Sequence, residues 1–499
     1  MFSKIRSSIF ALTAFLTLLI PVNILGETST VNWTDVHQQM DGWGGEDWFG
    51  NSSVGPGNGS SGFALTSGEA AQFFSPTSGI GLEFIRTGNY YCPTTGACAV
   101  STANVPDLQT LQYAVADGAK VTVHIQPPAN LQYGGNFTAG TPDPSTGLCI
   151  DSNNWSAFAA FTVQWIQMLQ ANGVPVYDLE VANEGNLNQT DTLGGCMWTP
   201  AGLDSYISGH LGPAFSSAGL TTKIAMSQNY DWFTQDFVST CLDDPACAQY
   251  VGIVNAHDYG TGSQDGMGTG YCCITASAPP SSVTTQHVWM SETNGGFTYN
   301  SSTGNWSWDT SMADALVWAR SIHDYLTIAN ASAWFYWELV DYCGGVYTYG
   351  CATAPFNNGL AISTGGGQTP ASLTVGKRYY TIGNWSKFVR NGYYRIDSTK
   401  NPQAGVYVTA FQSASSGTLV IVAVNTNGSN TSQSFAVTNA PTFSTVDPYV
   451  TSASLSLSAQ AAVSLSGNEF TYTLPSESVT TFLGSSSMQP PTELTAKAH

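Results

Sequence analysis

The hydrophobic positions of this 499-residue chain form two patterns. In the longer, first part, short runs rich in β-branched and aromatic residues alternate with segments long enough for a helix. Each run is almost continuously apolar, which is typical of parallel strands covered on both faces. The runs are Asp41–Trp43, Leu82–Thr87, Val121–Gln126, Val176–Ala182, Lys223–Ser227, Gly252–His257, Val288–Glu292 and Ala333–Trp337.

Amphipathic segments such as Trp155–Ala171 and Thr310–Ile328 lie between these runs. Eight alternations of strand and helix predict an α/β protein with a (β/α)8 TIM barrel, which we expect over residues 27–390. A doubly wound sheet is the competing topology, but the glycine-rich phosphate fingerprint that usually accompanies it is missing from the sequence.

After Arg395 the pattern changes to the alternation of half-exposed antiparallel strands. The segments are rich in Thr, Ser and Val, and Asn-Gly and Gly-Asn turns separate them. They predict an appended β-sandwich over residues 391–485, to which we expect the segment around Thr28–Val36 to add a strand. The composition of 486–499 predicts a disordered tail. The strand segments are Val406–Phe411, Thr418–Val424, Ser434–Val437, Ala461–Ser464 and Phe470–Leu474.

Residues 1–26 have the layout of a secretory signal peptide. Lys4 and Arg6 precede the apolar run Ile9–Ile20, which is short for a membrane span. We therefore expect a secreted, extracellular protein.

The chain has 10 Cys, and an exported chain keeps its disulfides. Short spacings predict the pairs Cys92–Cys98, Cys241–Cys247 and Cys343–Cys351, and Cys149 would then join Cys196. The adjacent Cys272 and Cys273 stay unassigned.

The composition limits the classes of molecule that we expect the protein to bind. A net charge of -20 with only 13 Lys and Arg repels phosphate backbones and anionic lipid, so we expect neither nucleic acid nor membrane as a partner. The 14 Trp and 23 Tyr favour a carbohydrate, because sugars stack on aromatic rings. No cofactor motif or zinc-type cysteine spacing is present, so we expect no cofactor and no metal. We expect a monomer that acts on a polysaccharide.

Two glutamates follow predicted strands four and seven, Glu184 in Leu-Glu-Val-Ala-Asn-Glu-Gly and Glu292 in Val-Trp-Met-Ser-Glu. The carboxyl ends of barrel strands form the active site, and a carboxylate there is either hydrogen-bonded or functional. Glycoside hydrolysis needs such a pair, and a separation of about 5 Å gives retention through a covalent intermediate. The alternative is that each Glu only caps a strand or pairs with Arg.

Further candidates lie at other strand ends. We expect Asn183 to hold the sugar 2-hydroxyl and Arg86 to keep the nucleophile ionised. Tyr259 would steady the charge of Glu292, while His257 either touches the substrate or is a satisfied core histidine. Aromatic candidates for the sugar-binding surface are Trp337, which otherwise is plain core, and Trp43.

Asn183-Glu184 and Glu292 at strands four and seven resemble the signature of clan A retaining glycosidases. Three stretches are similar to glycoside hydrolase family 30: the opening Asp41-Gly-Trp-Gly-Gly, Lys377–Arg390 and Phe470–Phe482. The resemblance implies that Glu184 is the acid/base and Glu292 the nucleophile. It also implies that Arg86, Asn183, Tyr259 and Trp337 surround them.

The chain departs from the family where Gly185 replaces the usual Pro after Asn-Glu, and where the third strand ends in His124-Ile-Gln-Pro-Pro. Cys196-Met-Trp-Thr and Pro127–Leu131 look most like its bacterial and fungal endo-xylanases. The resemblance implies that xylanases which require glucuronic acid branches bind them with a basic residue after the last barrel strand. Val340–Leu360 contains no Lys or Arg, so we expect an endo-β-1,4-xylanase without strict glucuronic acid dependence. A β-1,6-galactanase or β-1,6-glucanase stays open. A non-catalytic carbohydrate-binding surface protein and an extracellular structural or redox protein are alternatives of other classes.

Overall fold

The computed structural model describes residues 27–47, 65–89, 92, 96–133, 148–187, 196–233, 236–259, 276–295, 297–300, 305–342, 359–363, 373–413 and 415–486. The predicted signal peptide, Cys272, Cys273, the Cys343–Cys351 pair and residues 487–499 lie outside this set.

A first strand, β1 (Ser29–Gln39), precedes a closed barrel of eight parallel strands. The predicted fold class is confirmed. The bounds move by a few residues because apolar burial extends beyond the hydrogen-bonded part of a strand: Leu82, for example, is buried but precedes the ladder. In barrel order the strands are β2 (Gly42–Glu46), β3 (Phe84–Gly88), β4 (Lys120–His124), β5 (Val176–Glu180), β6 (Lys223–Asn229), β7 (Val251–His257), β8 (His287–Glu292) and, after the hairpin β9 (Phe297–Asn300) and β10 (Asn305–Trp308), β11 (Ala333–Tyr336).

Helices cover the barrel, and their ends follow from capping. Thr66 and Glu69 form a capping box at the start of the first helix. Ser311 accepts from the Asp314 N–H, so the helix predicted from Thr310 begins at Met312. The helices are α1 (Ser67–Phe74), α2 (Leu108–Ala116), α3 (Trp155–Ala171), α4 (Pro200–Tyr206), α5 (Gly212–Ala218), α6 (Phe237–Leu242), α7 (Pro245–Ala248), α8 (Met312–Thr327) and α9 (Lys377–Ser386).

Aromatic rings fill the amino-terminal half of the barrel. Phe84 packs edge-on against Trp289, with ring centroids 5.0 Å apart, and Phe335 stacks on the same indole at 5.5 Å. A Cβ on Gly44 would lie 2.3 Å from the Phe335 ring, so this glycine of the first barrel strand makes room for it. This plug leaves the carboxyl-terminal half for polar side chains.

A three-stranded sheet of β12 (Val340–Tyr342), β13 (Ala361–Ser363) and β14 (Leu373–Val375) follows the last barrel strand. The remaining strands form the appended β-sandwich. In it β1 pairs antiparallel with β15 and parallel with β18, and Val31, Ile421 and Phe482 belong to its separate core. Its strands are β15 (Tyr394–Ser398), β16 (Val406–Ser413), β17 (Thr418–Asn425), β18 (Thr431–Thr438), β19 (Phe443–Thr451), β20 (Ser458–Ala459), β21 (Val463–Ser464), β22 (Glu469–Leu474) and β23 (Ser478–Ser486).

Three of the predicted disulfides are confirmed: Cys92–Cys98, Cys149–Cys196 and Cys241–Cys247, with Cα–Cα distances of 5.1, 5.3 and 5.3 Å. Within the described ranges, none of the helices combines the length and the apolar character that a bilayer crossing demands.

Candidate active site

The two candidate glutamates lie side by side at the carboxyl end of the barrel. Glu292 is the last residue of β8, and Glu184 comes four residues after the end of β5. One carboxylate oxygen of each and a ring nitrogen of His257 all lie within 4.8 Å of one another. Nδ1 of His257 is 3.3 Å from Oε1 of Glu184, and its Nε2 is 3.7 Å from Oε2 of Glu292. The imidazole therefore lies behind both carboxylates.

Irregular backbone turns these side chains inward. Opposite β7, the register of β8 advances from Met290 to Glu292, so Ser291 is an extra residue and Glu292 faces the barrel beside His257. The same happens in β6, where Gln228 is the extra residue and has φ 54°. Glu184 has φ 52°, a left-handed conformation that non-glycine residues rarely adopt.

Arg86 on β3 connects the site. Its Nη1 donates to Oε2 of Glu292 and to Oε2 of Glu46, both at 2.5 Å. Its Nε donates to Oε2 of Glu180 at 2.6 Å. Its Nη2 donates to Asn183 Oδ1 at 2.8 Å and to Gln228 Oε1 at 3.2 Å. A guanidinium has five N–H groups, and these five acceptors match that number. Arg86 is only 1% exposed, so it acts on its neighbours and presents no free donor to a ligand.

Tyr259 contacts the other oxygen of Glu292, because its hydroxyl donates to Oε1 at 3.1 Å. The loop after β6 holds it in place. Its backbone N–H donates to the Tyr230 carbonyl at 3.1 Å, and the two rings are 5.2 Å apart. Asn186, two residues after Glu184, accepts from the Tyr230 N–H at 2.8 Å and donates to Asp231 at 2.9 Å.

Burial sets the protonation of the groups beneath the glutamates. Burial lowers the pKa of His257 to about 4, with a further decrease from Arg86 and an opposing increase from Glu292. Burial also holds the pKa of His124 well below its ordinary value, and Arg86 adds to this. His257 is therefore neutral above about pH 5, and burial favours the neutral form of His124 in the same direction. Burial raises the pKa of Glu180, although Arg86 opposes it.

The trio Glu184, His257 and Glu292 offers donor atoms close enough for a cation. The guanidinium of Arg86 already lies 2.5 Å from Oε2 of Glu292, and its positive charge opposes such an ion. A second trio contains Asp204 with Cys241 and Cys247, whose sulfurs are joined in a disulfide and are not thiolate ligands.

The structure brings six of the candidates from the sequence together: Glu184, Glu292, Asn183, Arg86, His257 and Tyr259. One expectation for His257 was substrate contact, but its exposure is 0%, so it touches the glutamates instead. Trp337 comes directly after β11 and is half-buried, and its backbone N–H donates to the Thr293 carbonyl at 2.8 Å.

The expectation for Trp43 was wrong. Alternation along β2 points Gly44 and Glu46 into the barrel and Trp43 outward. Its indole is fully buried and donates to the Val389 carbonyl at 2.8 Å, in the layer between the barrel and α9. An aromatic residue near the start of a strand is core here, because the site lies at the opposite strand ends.

Sequence reasoning missed Glu46, Glu180 and Gln228. Glu46 and Glu180 stand at inward positions of otherwise apolar strands, which is a signal that the alternation carries. Gln228 could not be found this way, because its inward direction depends on the bulge in β6.

Comparison with known proteins supports the resemblance seen in the sequence. The profile described as "Glycosyl hydrolase family 30 beta sandwich domain" matches residues 392–482. Glucuronoxylanase XynC of Bacillus subtilis (strain 168) is 26% identical over 391 residues, which cover 76% of each protein. The chain thus resembles glycoside hydrolase family 30 in its β-sandwich and along 76% of its length. The resemblance recognised in the sequence is confirmed, and the protein is a glycoside hydrolase.

Solved structures with the same fold include two enzymes of different specificity. The catalytic domain of the family 30 xylanase C from Talaromyces cellulolyticus superposes with a TM-score of 0.71 at 22% identity, over 92% of this chain and 100% of that one. An endo-beta1,6-glucanase superposes with a TM-score of 0.65 at 18% identity, over 92% and 94%. The shared fold therefore leaves the linkage to be argued from the site.

Proposed function

We propose that this glycoside hydrolase cleaves a β-linked, plant-type polysaccharide with retention of configuration, with Glu292 as nucleophile and Glu184 as acid/base. The observation that carries the proposal is the proximity of the two carboxylates, with an oxygen of each inside a 4.8 Å group. Retaining enzymes hold their carboxyl groups about 5–5.5 Å apart, whereas inverting enzymes leave about 6.5–9.5 Å for a water.

In the first step the Glu184 carboxyl protonates the glycosidic oxygen while an oxygen of Glu292 attacks the anomeric carbon. The bond from that carbon to the glycosidic oxygen breaks, and a glycosyl ester of Glu292 forms. In the second step the Glu184 carboxylate takes a proton from water. The water oxygen bonds to the anomeric carbon, and Glu292 leaves as a carboxylate.

Neighbouring groups have separate tasks in this scheme. Arg86 and Tyr259 hydrogen-bond to the two oxygens of Glu292 and hold its carboxylate in one orientation. Asn183 uses its Oδ1 on Arg86, which leaves its amide hydrogens to donate to the sugar 2-hydroxyl. We propose that Trp337 lies beneath the scissile sugar, because it directly follows β11 at the carboxyl end of the barrel.

The distribution of cations supports an uncharged substrate. Of the 13 Lys and Arg in the sequence, three lie on the described barrel strands. Arg86 is at the middle of β3, and five acceptors occupy its N–H groups. Lys120 and Lys223 begin their strands at the opposite end. Segments 48–64, 134–147, 188–195, 260–275 and 343–358 contain neither Lys nor Arg. A uronate would thus meet mainly carboxylates.

An endo-β-1,4-xylanase is the first candidate, because the relatives of this chain include a glucuronoxylanase and a xylanase. The absence of strict glucuronic acid dependence is proposed from the distribution of Lys and Arg alone. A β-1,6-glucanase is the second candidate, since a protein of that name has the same fold. We also propose that the protein is secreted, for which its three disulfides are support.

The test is a product profile of the purified protein on glucuronoxylan, unbranched xylan, β-1,6-galactan and β-1,6-glucan, with Glu292→Gln as control. We expect xylo-oligosaccharides from both xylans at similar rates and none from the variant. Release only from glucuronoxylan would overturn the argument from charge. Products only from a β-1,6 polymer would replace the substrate and keep the mechanism, and an unchanged variant would refute the mechanism.

A further inference from the structure

Three buried carboxylates converge on the single guanidinium of Arg86. Glu292 and Glu46 both accept from Nη1, and Glu180 accepts from Nε. Glu46 and Glu180 are 1% and 0% exposed, so neither reaches a bound sugar. A single carboxylate would be enough to neutralise the arginine, and the proposed chemistry uses only Glu292.

We propose that Glu180 and Glu46 are positioning residues that fix Arg86 and share its positive charge, so that Glu292 stays a reactive nucleophile. The inference rests on the proposed function, because it assigns Glu292 the attack on the anomeric carbon.

Geometry supports the positioning role. Glu180 Oε2 holds Nε, while its Oε1 accepts from Asn255 Nδ2 at 3.2 Å. Asn255 in turn accepts from the Gln228 N–H at 3.3 Å. Strands β5, β6 and β7 thus fix the plane of the guanidinium from below. A planar, fully bonded guanidinium presents Nη1 to Glu292 and Nη2 to Asn183 in set directions.

Charge supports the second half of the proposal. Carboxylates compete for a cation, so Glu180 and Glu46 weaken the pull of Arg86 on Glu292. A carboxylate that is bound too strongly is a poorer nucleophile. His257 is neutral above about pH 5 and does not disturb this balance there, and burial favours the neutral form of His124 in the same direction. Among the described residues, the titratable and charged groups in and around the cluster are Arg86, Glu46, Glu180, Asp47, Asp178, Glu184, Glu292, Tyr259, His124 and His257.

The experiment compares Glu180→Gln and Glu46→Gln with wild type across pH, on whichever polysaccharide the wild type hydrolyses. Each substitution keeps the shape and removes one negative charge. We expect kcat to fall about tenfold with KM unchanged within about twofold, because neither side chain touches the sugar. We expect the acid limb of the kcat/KM profile to move to lower pH, since each variant removes a negative charge beside the two catalytic carboxylates.

Glu83→Gln is the matched control, because Glu83 is also a buried carboxylate beside an arginine, Arg390 at 3.2 Å, at the amino end of the barrel. It should leave the acid limb in place. The proposal is wrong if both site variants keep the wild-type acid limb. If Glu180→Gln does not fold, the result for Glu46→Gln decides. A wild type with no activity, or an active Glu292→Gln variant, would instead refute the proposed function.

Discussion

His257 lies between two carboxylates, yet at neutral pH it carries no charge, because full burial and the nearby Arg86 lower its pKa to about 4. An imidazolium there would form ion pairs with both glutamates and would favour the carboxylate form of Glu184, which needs a proton to act as the acid. Neutral His257 has one N–H. Because Gln228 Oε1 accepts from Arg86 and from His257, we assign that N–H to Nε2, which leaves Nδ1 to accept a hydrogen bond from protonated Glu184. At the scale of residues, the site separates the tasks: Arg86 supplies the positive charge, and His257 supplies hydrogen bonds.

Tyr259→Phe tests the contact with the second oxygen of Glu292. A hydrogen bond to a charged group contributes about 1.5–3 kcal/mol, so its loss should lower kcat/KM by roughly 10- to 100-fold. The acid limb of the kcat/KM profile should move to higher pH, because ionised Glu292 loses a donor. Tyr177→Phe is the control, since its hydroxyl accepts from Lys223 at the other end of the barrel. Equal rates for wild type and Tyr259→Phe would contradict the role.

At the scale of elements, the sequence predicted the eight barrel strands and the helix Trp155–Ala171, because apolar runs and amphipathic periodicity determine them. It could not predict how the strand ends turn. Strict alternation from Trp289, which faces the barrel plug, would place Ser291 inward and Glu292 outward. The extra residue in β8 reverses this, and a similar one in β6 turns Gln228 inward. Such irregularities depend on packing between strands, which a single sequence does not reveal.

The disulfide Cys149–Cys196 links the segment that follows Glu184 to the segment before α3. Nearby, the Trp198 backbone N–H donates to the Gly185 carbonyl at 2.7 Å. It closes a loop with a sequence separation of 47, against 6 for Cys92–Cys98.

Chain entropy predicts that Cys149→Ala/Cys196→Ala lowers the free energy of unfolding by about 4 kcal/mol, and that Cys92→Ala/Cys98→Ala lowers it by about 2 kcal/mol. Denaturant unfolding of both double variants measures the difference. Equal losses would show that loop length does not govern the effect here.

At the scale of the whole molecule, the barrel buries several acids that prefer their protonated form. Burial raises the pKa of Glu83 from 4.5 to about 7 against the opposing effect of Arg390, and it raises the pKa of Asp314 to about 7 against Arg378. Burial also raises the pKa of Asp47 and Asp178 well above the ordinary range. Between about pH 4.5 and 7 the folded chain keeps these protons and the unfolded chain releases them, so stability falls as the pH rises.

The histidines act in the opposite direction. The low pKa of His257 and His124 means that the unfolded chain gains protons first as the pH falls below about 6.5, which costs stability. Because the acids with raised pKa outnumber these two histidines among the described residues, we expect a higher Tm at pH 5 than at pH 7.5. Calorimetry at both values checks this, with Glu83→Gln reducing the difference. A higher Tm at pH 7.5 would contradict it.

Hydrolysis with retention by Glu292 and Glu184 determines the anomeric configuration of the first product. The most direct measurement is ¹H NMR of the first product formed from the polysaccharide that the enzyme cleaves fastest, recorded before the free sugar mutarotates. An oxygen of Glu184 and an oxygen of Glu292 lie within 4.8 Å of each other, a separation that favours retention. We therefore expect the β-anomer to appear first and the α-anomer only later, by mutarotation. Initial release of the α-anomer would contradict it.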